Sequence, residues 1–192
     1  MPKHITNITY KIEEQAAKAG FVYKLSSNYY KNIIEKEAVL ANITAQDHIL
    51  CIGGGICPFS AILFHQITGA RVTVIDNNES CIPQAKCLIR RIGVESYVKV
   101  LHQCGCNNIC FGDFTVVHLA LQVTPIEQVF ENLQKQVKAG TRLLVRRPKK
   151  YLGGMYCQMC DNALTCRPYV THKSRNVGST ALYIKQDGVG YA

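Results

Sequence analysis

The stretch His48–Asp76, HILCIGGGICPFSAILFHQITGARVTVID, decides the fold. It joins a short apolar run, three consecutive glycines, an amphipathic segment, a run rich in β-branched residues and an acid. A glycine-rich turn between a buried strand and a helix lets a ligand approach the backbone closely. The helix N-terminus adds unpaired N–H groups and a partial positive charge. An acid closing the next strand, about 20 residues on, accepts hydrogen bonds from a ribose. Gly53, Gly54, Gly55 and Asp76 are therefore the first candidates for a nucleoside-cofactor site. The position three after Gly55 is Pro58, so the turn is not the G-x-G-x-x-G dinucleotide fingerprint, and it lacks the Gly-Lys-Ser/Thr of a phosphate loop.

Outward from this stretch, strand and helix patterns alternate. Strand candidates are His48–Ile52, Arg71–Asp76, Tyr97–Leu101, Phe114–Leu119 and Thr141–Arg146. Between them, apolar residues recur at helical spacing at Ile56, Phe59, Leu63 and Ile67, at Ile82, Ala85, Ile89 and Ile92, and at Ile126, Val129, Leu133 and Val137. Pro125 suits a helix first turn and Gly140 a helix stop. Asn77 and Asn78 are placed to cap the helix after the second strand. This alternation predicts a parallel sheet covered on both faces and joined by right-handed crossovers. Two helical patterns precede the first strand, over residues 5 to 19 with Gly20 as a stop and over residues 28 to 41. They predict a cover for the sheet or a lid over the ligand. Near the end, Tyr169–Thr171 and Thr180–Ile184 read as a closing hairpin.

At 192 residues, with 47% hydrophobic content, no internal repeat and no linker, the chain reads as one domain over 1–192. No apolar run approaches the ~18 residues of a membrane span, and the opening MPKHITN lacks a signal-peptide core, which points to the cytoplasm. The net charge of +9 makes an anionic partner plausible, whether a small molecule or nucleic acid, with a solvated basic face as the plain alternative. Ten cysteines without a secretion signal argue against a disulfide framework. Cys157 and Cys160 have metal-pair spacing, with Cys166 as a third candidate ligand, but no second pair completes a zinc ribbon. Cys104, Cys106 and Cys110 form a second cluster. Cys51, Cys81 and Cys87 fall on apolar faces and read as small core residues.

The order of N-terminal helices, strand, glycine turn, helix, strand and acid, then alternating units and a final hairpin, resembles the class I S-adenosylmethionine-dependent methyltransferases over roughly residues 28 to 186. The resemblance implies an α/β, Rossmann-like, seven-stranded and mostly parallel sheet with an antiparallel last strand. The two N-terminal helices then form a cap over 1–45 and the core spans 46–186. It also implies S-adenosylmethionine as cofactor. Such proteins usually carry an acid two residues before the first glycine, where this chain has Cys51, and Cys57 replaces the third glycine. Ile52-Gly53-Gly54-Gly55-Ile56-Cys57-Pro58 instead resembles the acid-free turn I-G-S-G-P-L-P of nicotianamine synthases and their relatives. In those enzymes a tyrosine precedes a glutamate by seven residues ahead of the strand, as Tyr30 and Glu37 do here. Seven residues is about two helical turns, so the two share a face. The resemblance makes Glu37 a candidate base, or a partner of the cofactor's amino group.

By the same resemblance Asp76, with Asn77 beside it, binds ribose. Gln103 and Asn107 stand where the superfamily has the Gly-Asp pair that meets adenine, and His118 lies where the transferred group is faced, as a candidate base. Arg142, Arg146, Arg147, Lys149 and Lys150 read as a basic cluster around the fifth strand. Arg146 and Arg147 are placed to face a carboxylate or phosphate. The expected activity is methyl transfer to a small, anionic molecule. The alternatives are aminopropyl transfer, RNA methylation, or a non-catalytic cofactor- or metal-sensing role.

Overall fold

A computed structural model describes residues 20–106, 113–156 and 168–187. Its centre is a seven-stranded sheet, with β1 at His48–Ile52, β2 at Arg71–Asp76, β3 at Val98–His102, β4 at Val116–Leu119, β5 at Arg142–Pro148, β6 at Tyr169–Thr171 and β7 at Val177–Ile184. The strand order is β3-β2-β1-β4-β5-β7-β6, and β1 to β5 are mutually parallel. β7 runs antiparallel to both β5 and β6. This is the expected α/β sheet with its antiparallel last strand.

The buried strands are apolar on both faces, as a parallel sheet covered on both sides requires. Helices α1 (Gly20–Leu40), α2 (Phe59–Thr68) and α3 (Ile82–Ile92) cover one face, where Ile34, Phe64 and Leu88 pack on Ile49, Cys51 and Val74. Helix α4 (Ile126–Gln136) covers the other, packing Val129, Phe130 and Leu133 on Leu50, Ile52 and Leu143. β3, at the sheet edge, buries Val98 and Val100 and exposes Lys99 and Leu101, the alternation of a half-covered strand. No helix among the described residues is long and apolar enough to cross a membrane.

Several boundaries differ from the sequence reading. Gly20 begins α1 rather than ending a helix, and the pattern over residues 5 to 19 lies outside the described residues. Pro125 is the extended residue just before α4, not part of its first turn. Gly140 lies beyond the helix, in the turn into β5, where its N–H donates to Lys185 O at 2.7 Å. Asn78 caps a short 3-10 turn at Glu79–Cys81, accepting from the Ser80 N–H at 3.2 Å. Cys87 is exposed, whereas Cys51 and Cys81 are core residues as expected.

The amino ends of the strands are closed by Asp47. Its carboxylate accepts from Thr44 N at 2.8 Å, from the Thr115 hydroxyl at 2.6 Å and from Arg142. Arg142 also donates to the Ala41 and Asn42 carbonyls at the end of α1. Arg142 is thereby committed to structure at the end of the sheet opposite the ligand crevice, and it leaves the expected basic cluster.

Candidate active site

Chain direction across the sheet reverses between β1 and β4. β1, β2 and β3 step one way, and the chain then returns to the far side of β1. Ligands of open parallel sheets bind at the carboxyl ends of the strands at such a switch point. A cavity of about 440 Å³ lies there, lined by Gly53–Gly55 after β1, Asp76–Asn78 after β2, Gln103–Cys106 after β3 and Ala120–Thr124 after β4. Its volume suits a cofactor-sized molecule.

The turn after β1 is built for close backbone approach. A Cβ on Gly54 would fall 2.2 Å from Val74 Cγ1, so only glycine fits there. Gly55 sits at φ +60° and directs its N–H to Asp76 Oδ2 at 2.8 Å, while Oδ1 accepts from Asn78 N at 2.9 Å. Each carboxylate oxygen thus holds one backbone N–H and keeps acceptor capacity for a second donor. Gln103 N donates to the Asp76 carbonyl at 3.0 Å, which joins the ends of β2 and β3. Among the expected cofactor residues, Gly53, Gly54, Gly55, Asp76, Asn77 and Gln103 all line this one cavity. Asn107 lies outside the described residues, as do Cys110, Cys157, Cys160 and Cys166. No group of three or more His, Cys, Asp or Glu side chains among the described residues is arranged to hold a metal ion.

Tyr30 and His118 line the same cavity from α1 and the end of β4. The Tyr30 ring stacks on Phe59 with centroids 5.9 Å apart, and the Arg146 guanidinium lies 5.7 Å from its centroid. Glu37 does share the helix face of Tyr30, but it sits behind the cavity wall and is fully buried. Its Oε1 accepts from Arg146 Nε at 2.8 Å and from the Thr180 hydroxyl at 2.6 Å, and its Oε2 accepts from Arg146 Nη2 at 2.8 Å. Burial alone would raise the Glu37 carboxyl, yet the Arg146 charge and hydrogen bonds outweigh it and hold the group down at about 2. Glu37 is therefore an ionised member of a buried, bidentate pair.

Each guanidinium nitrogen of Arg146 has a partner, because its Nη1 donates to the Ser60 hydroxyl at 3.0 Å. Its Nε and Nη2 are engaged by Glu37, and it also lines the cavity. Arg147, one residue on, has Nε and Nη2 buried without hydrogen-bond partners. The Thr180 hydroxyl gives its proton to Glu37, so it accepts from His172 Nε2–H at 2.8 Å, and a relay runs from the β6–β7 hairpin to the pair. His118 is 1% exposed, with neither ring nitrogen hydrogen-bonded and Nε2 3.6 Å from Glu37 Oε2. Burial, reinforced by the Arg146 charge, pushes His118 down to about 3, so the ring is neutral near pH 7.

Sequence reasoning did not single out Thr180, His172 or Asn176. The first two belong to the network around Glu37, and Asn176 lines the cavity together with Tyr156. The available signal was Arg146 itself, a charged residue closing the apolar run Leu143–Val145 on a buried strand.

No protein-family model matches the chain, and no curated protein does. Among solved structures, a glutamate-to-glutamine variant of MtNAS, a nicotianamine synthase, in complex with S-adenosylmethionine matches with a TM-score of 0.79. It covers 96% of this chain and 76% of that one at 22% identity. An RNA methyltransferase from Salinibacter ruber in complex with S-adenosyl-L-homocysteine matches with a TM-score of 0.65, over 83% of this chain and 94% of that one, at 15% identity. The fold is that of the class I S-adenosylmethionine-dependent methyltransferases. MtNAS in complex with MTA and tNA shares this class I fold with the chain to the same degree, with a TM-score of 0.79 over 96% of this chain and 74% of that one at 22% identity.

Proposed function

We propose that this protein is an S-adenosylmethionine-dependent transferase acting on a small molecule. The observation that carries the reading is the Asp76 carboxylate, fixed by Gly55 N–H and Asn78 N–H at the mouth of a glycine cradle that admits no Cβ at Gly54. The donor set fits the cofactor. Asp76 retains acceptor capacity for ribose hydroxyls, and the turn lets a polar ligand lie against the backbone. Gln103 and the backbone around it supply polar groups on the far wall.

S-adenosylmethionine supplies its own leaving group, a sulfonium that activates the carbon to be transferred. The residues of this chain then have to align the acceptor and exclude water. Tyr30, Phe59 and Tyr156 form an aromatic wall over the cavity, and the neutral His118 ring offers one donor and one acceptor from beneath it. Methyl transfer is the leading reaction. Aminopropyl transfer is the second reading, supported by the likeness to MtNAS over 96% of the chain. The anionic character of the acceptor rests on the net charge of +9, since Arg146 is neutralised by Glu37 and Arg147 is not among the residues that line the cavity. The basic surface keeps nucleic acid as a less favoured acceptor.

Calorimetry with S-adenosylmethionine and S-adenosylhomocysteine tests the cofactor. Both bind in the expected outcome, Asp76→Ala weakens them, and absence of binding at millimolar concentration rules the reading out. Release of methylthioadenosine instead of S-adenosylhomocysteine during turnover would identify aminopropyl transfer.

A further inference from the structure

Of the six described cysteines, Cys51, Cys57, Cys81, Cys104 and Cys106 all line the one cavity at the switch point. They are not equivalent. Cys51, Cys57 and Cys81 are at most 3% exposed, and burial pushes the Cys51 thiol up to about 12, which makes it inert. Cys104 and Cys106 are partly exposed. Their loop is pinned. A Cβ on Gly105 would fall 3.0 Å from Ile52 Cγ2 and 3.3 Å from Val129 Cγ1, and the Gly105 carbonyl accepts from Asn132 Nδ2 at 3.3 Å. The Cys106 N–H points back to Cys104 Sγ at 3.4 Å, and burial, with Cys104 beside it, pushes the Cys106 thiol up. The pair directly follows Gln103, whose N–H is bonded to Asp76. Two partly exposed cysteines, two residues apart and joined by an N–H to sulfur contact, thus lie in the wall of the nucleoside cavity.

We propose that Cys104 and Cys106 form a chelating dithiol site for a thiophilic centre that takes two sulfurs, with trivalent arsenic as its defining probe. No third His, Cys, Asp or Glu completes a metal site among the described residues, which favours a two-sulfur ligand over tetrahedral zinc. With an aryl arsenoxide the chemistry is a condensation. Two As–S bonds form, the As–O bond breaks, and both thiol protons leave with the oxygen as water. No electrons are transferred and no oxidant is required. The adduct fills the cavity wall beside Asp76 and excludes the nucleoside, a consequence that rests on the cofactor reading above.

The test treats reduced, anaerobically purified full-length protein with phenylarsine oxide and locates the adduct by mass spectrometry on the tryptic peptide Val100–Lys135. The expected result is one arsenical on that peptide, lost in Cys104→Ser and in Cys106→Ser and kept in Cys110→Ser. S-adenosylhomocysteine affinity of the treated protein then falls at least about tenfold, equivalent to ~1.4 kcal/mol. An unmodified peptide in the wild type, or an adduct that persists in either Cys104→Ser or Cys106→Ser, overturns the site. An adduct that leaves S-adenosylhomocysteine affinity unchanged overturns its placement in the nucleoside wall. If the untreated protein binds no S-adenosylhomocysteine, the cofactor reading fails, while adduct mapping still decides the dithiol.

Discussion

Replacing Arg146 by methionine tests the buried pair most directly. Arg146 is 4% exposed and Glu37 is fully buried, and two 2.8 Å hydrogen bonds join them. Removing one partner of such a pair leaves an uncompensated buried charge, at a cost of about 3–5 kcal/mol. For a chain of 192 residues this lowers the melting temperature by about 6–20 °C. The pH dependence carries the sharper signature. In the wild type Glu37 sits at about 2 against an ordinary 4.5, so its contribution is present above 4.5 and is lost as pH falls toward 2. Without Arg146, burial dominates, and the adjacent Glu37 and His118 take up a proton that the wild type does not bind. A group with raised affinity for protons stabilises at low pH and loses that contribution as pH rises. The stability gap between Arg146→Met and wild type therefore narrows on acidification. Urea unfolding followed by circular dichroism near pH 7 and near pH 5 measures it. A cost below about 1 kcal/mol, or a gap that widens in acid, would refute the account of the pair. Glu37→Met combined with Arg146→Met removes both charges and is expected to recover most of the loss.

His118→Leu removes a histidine that is neutral when folded. His118 sits at about 3 rather than 6.5, so the wild type loses stability as pH falls below 6.5. The variant's urea midpoint should change less between pH 7 and pH 5, and an unchanged acid slope would count against a neutral buried ring. Gly54→Ala places a methyl 2.2 Å from Val74 Cγ1, and it is expected to cost about 1–3 kcal/mol by overpacking and to abolish nucleoside binding in calorimetry. Wild-type melting and affinity in that variant would show that the turn is not closely packed. Asp47→Ala strands the Thr44 N–H, the Thr115 hydroxyl and Arg142 at the amino end of the sheet, at a cost of about 1–3 kcal/mol in thermal unfolding. Nucleoside affinity should survive it, and a loss of affinity would contradict the separation of the two sheet ends.

Much of the fold was legible because its signals are local. Val72, Val74 and Ile75 report a buried strand, Ile82, Ala85 and Ile89 report one helix face, and the three glycines mark the turn between strand and helix. The same holds for the cofactor candidates, since strand ends at a switch point are fixed by the order of the elements. β7 was read three residues short because Val177–Ser179 mixes glycine and serine into the strand, and it is held there by pairing with β5. Cys87 was misplaced because a pattern of apolar neighbours does not record how far a helix face rolls toward solvent.

The amino-acid sequence by itself thus determined the alternating α/β architecture, the glycine turn and the acid that closes the second strand. Tertiary structure alone decided that Glu37 meets Arg146 across 109 residues, and that Thr180, another 34 residues further on, completes the carboxylate's shell. It alone brought five cysteines, from β1, the turns after β1 and β2 and the loop after β3, to the wall of one cavity. The physical reason is range. Hydrophobic periodicity and turn chemistry act over a few residues, whereas the ionisation of a buried carboxylate or the pairing of two thiols depends on groups that meet only after the sheet has assembled.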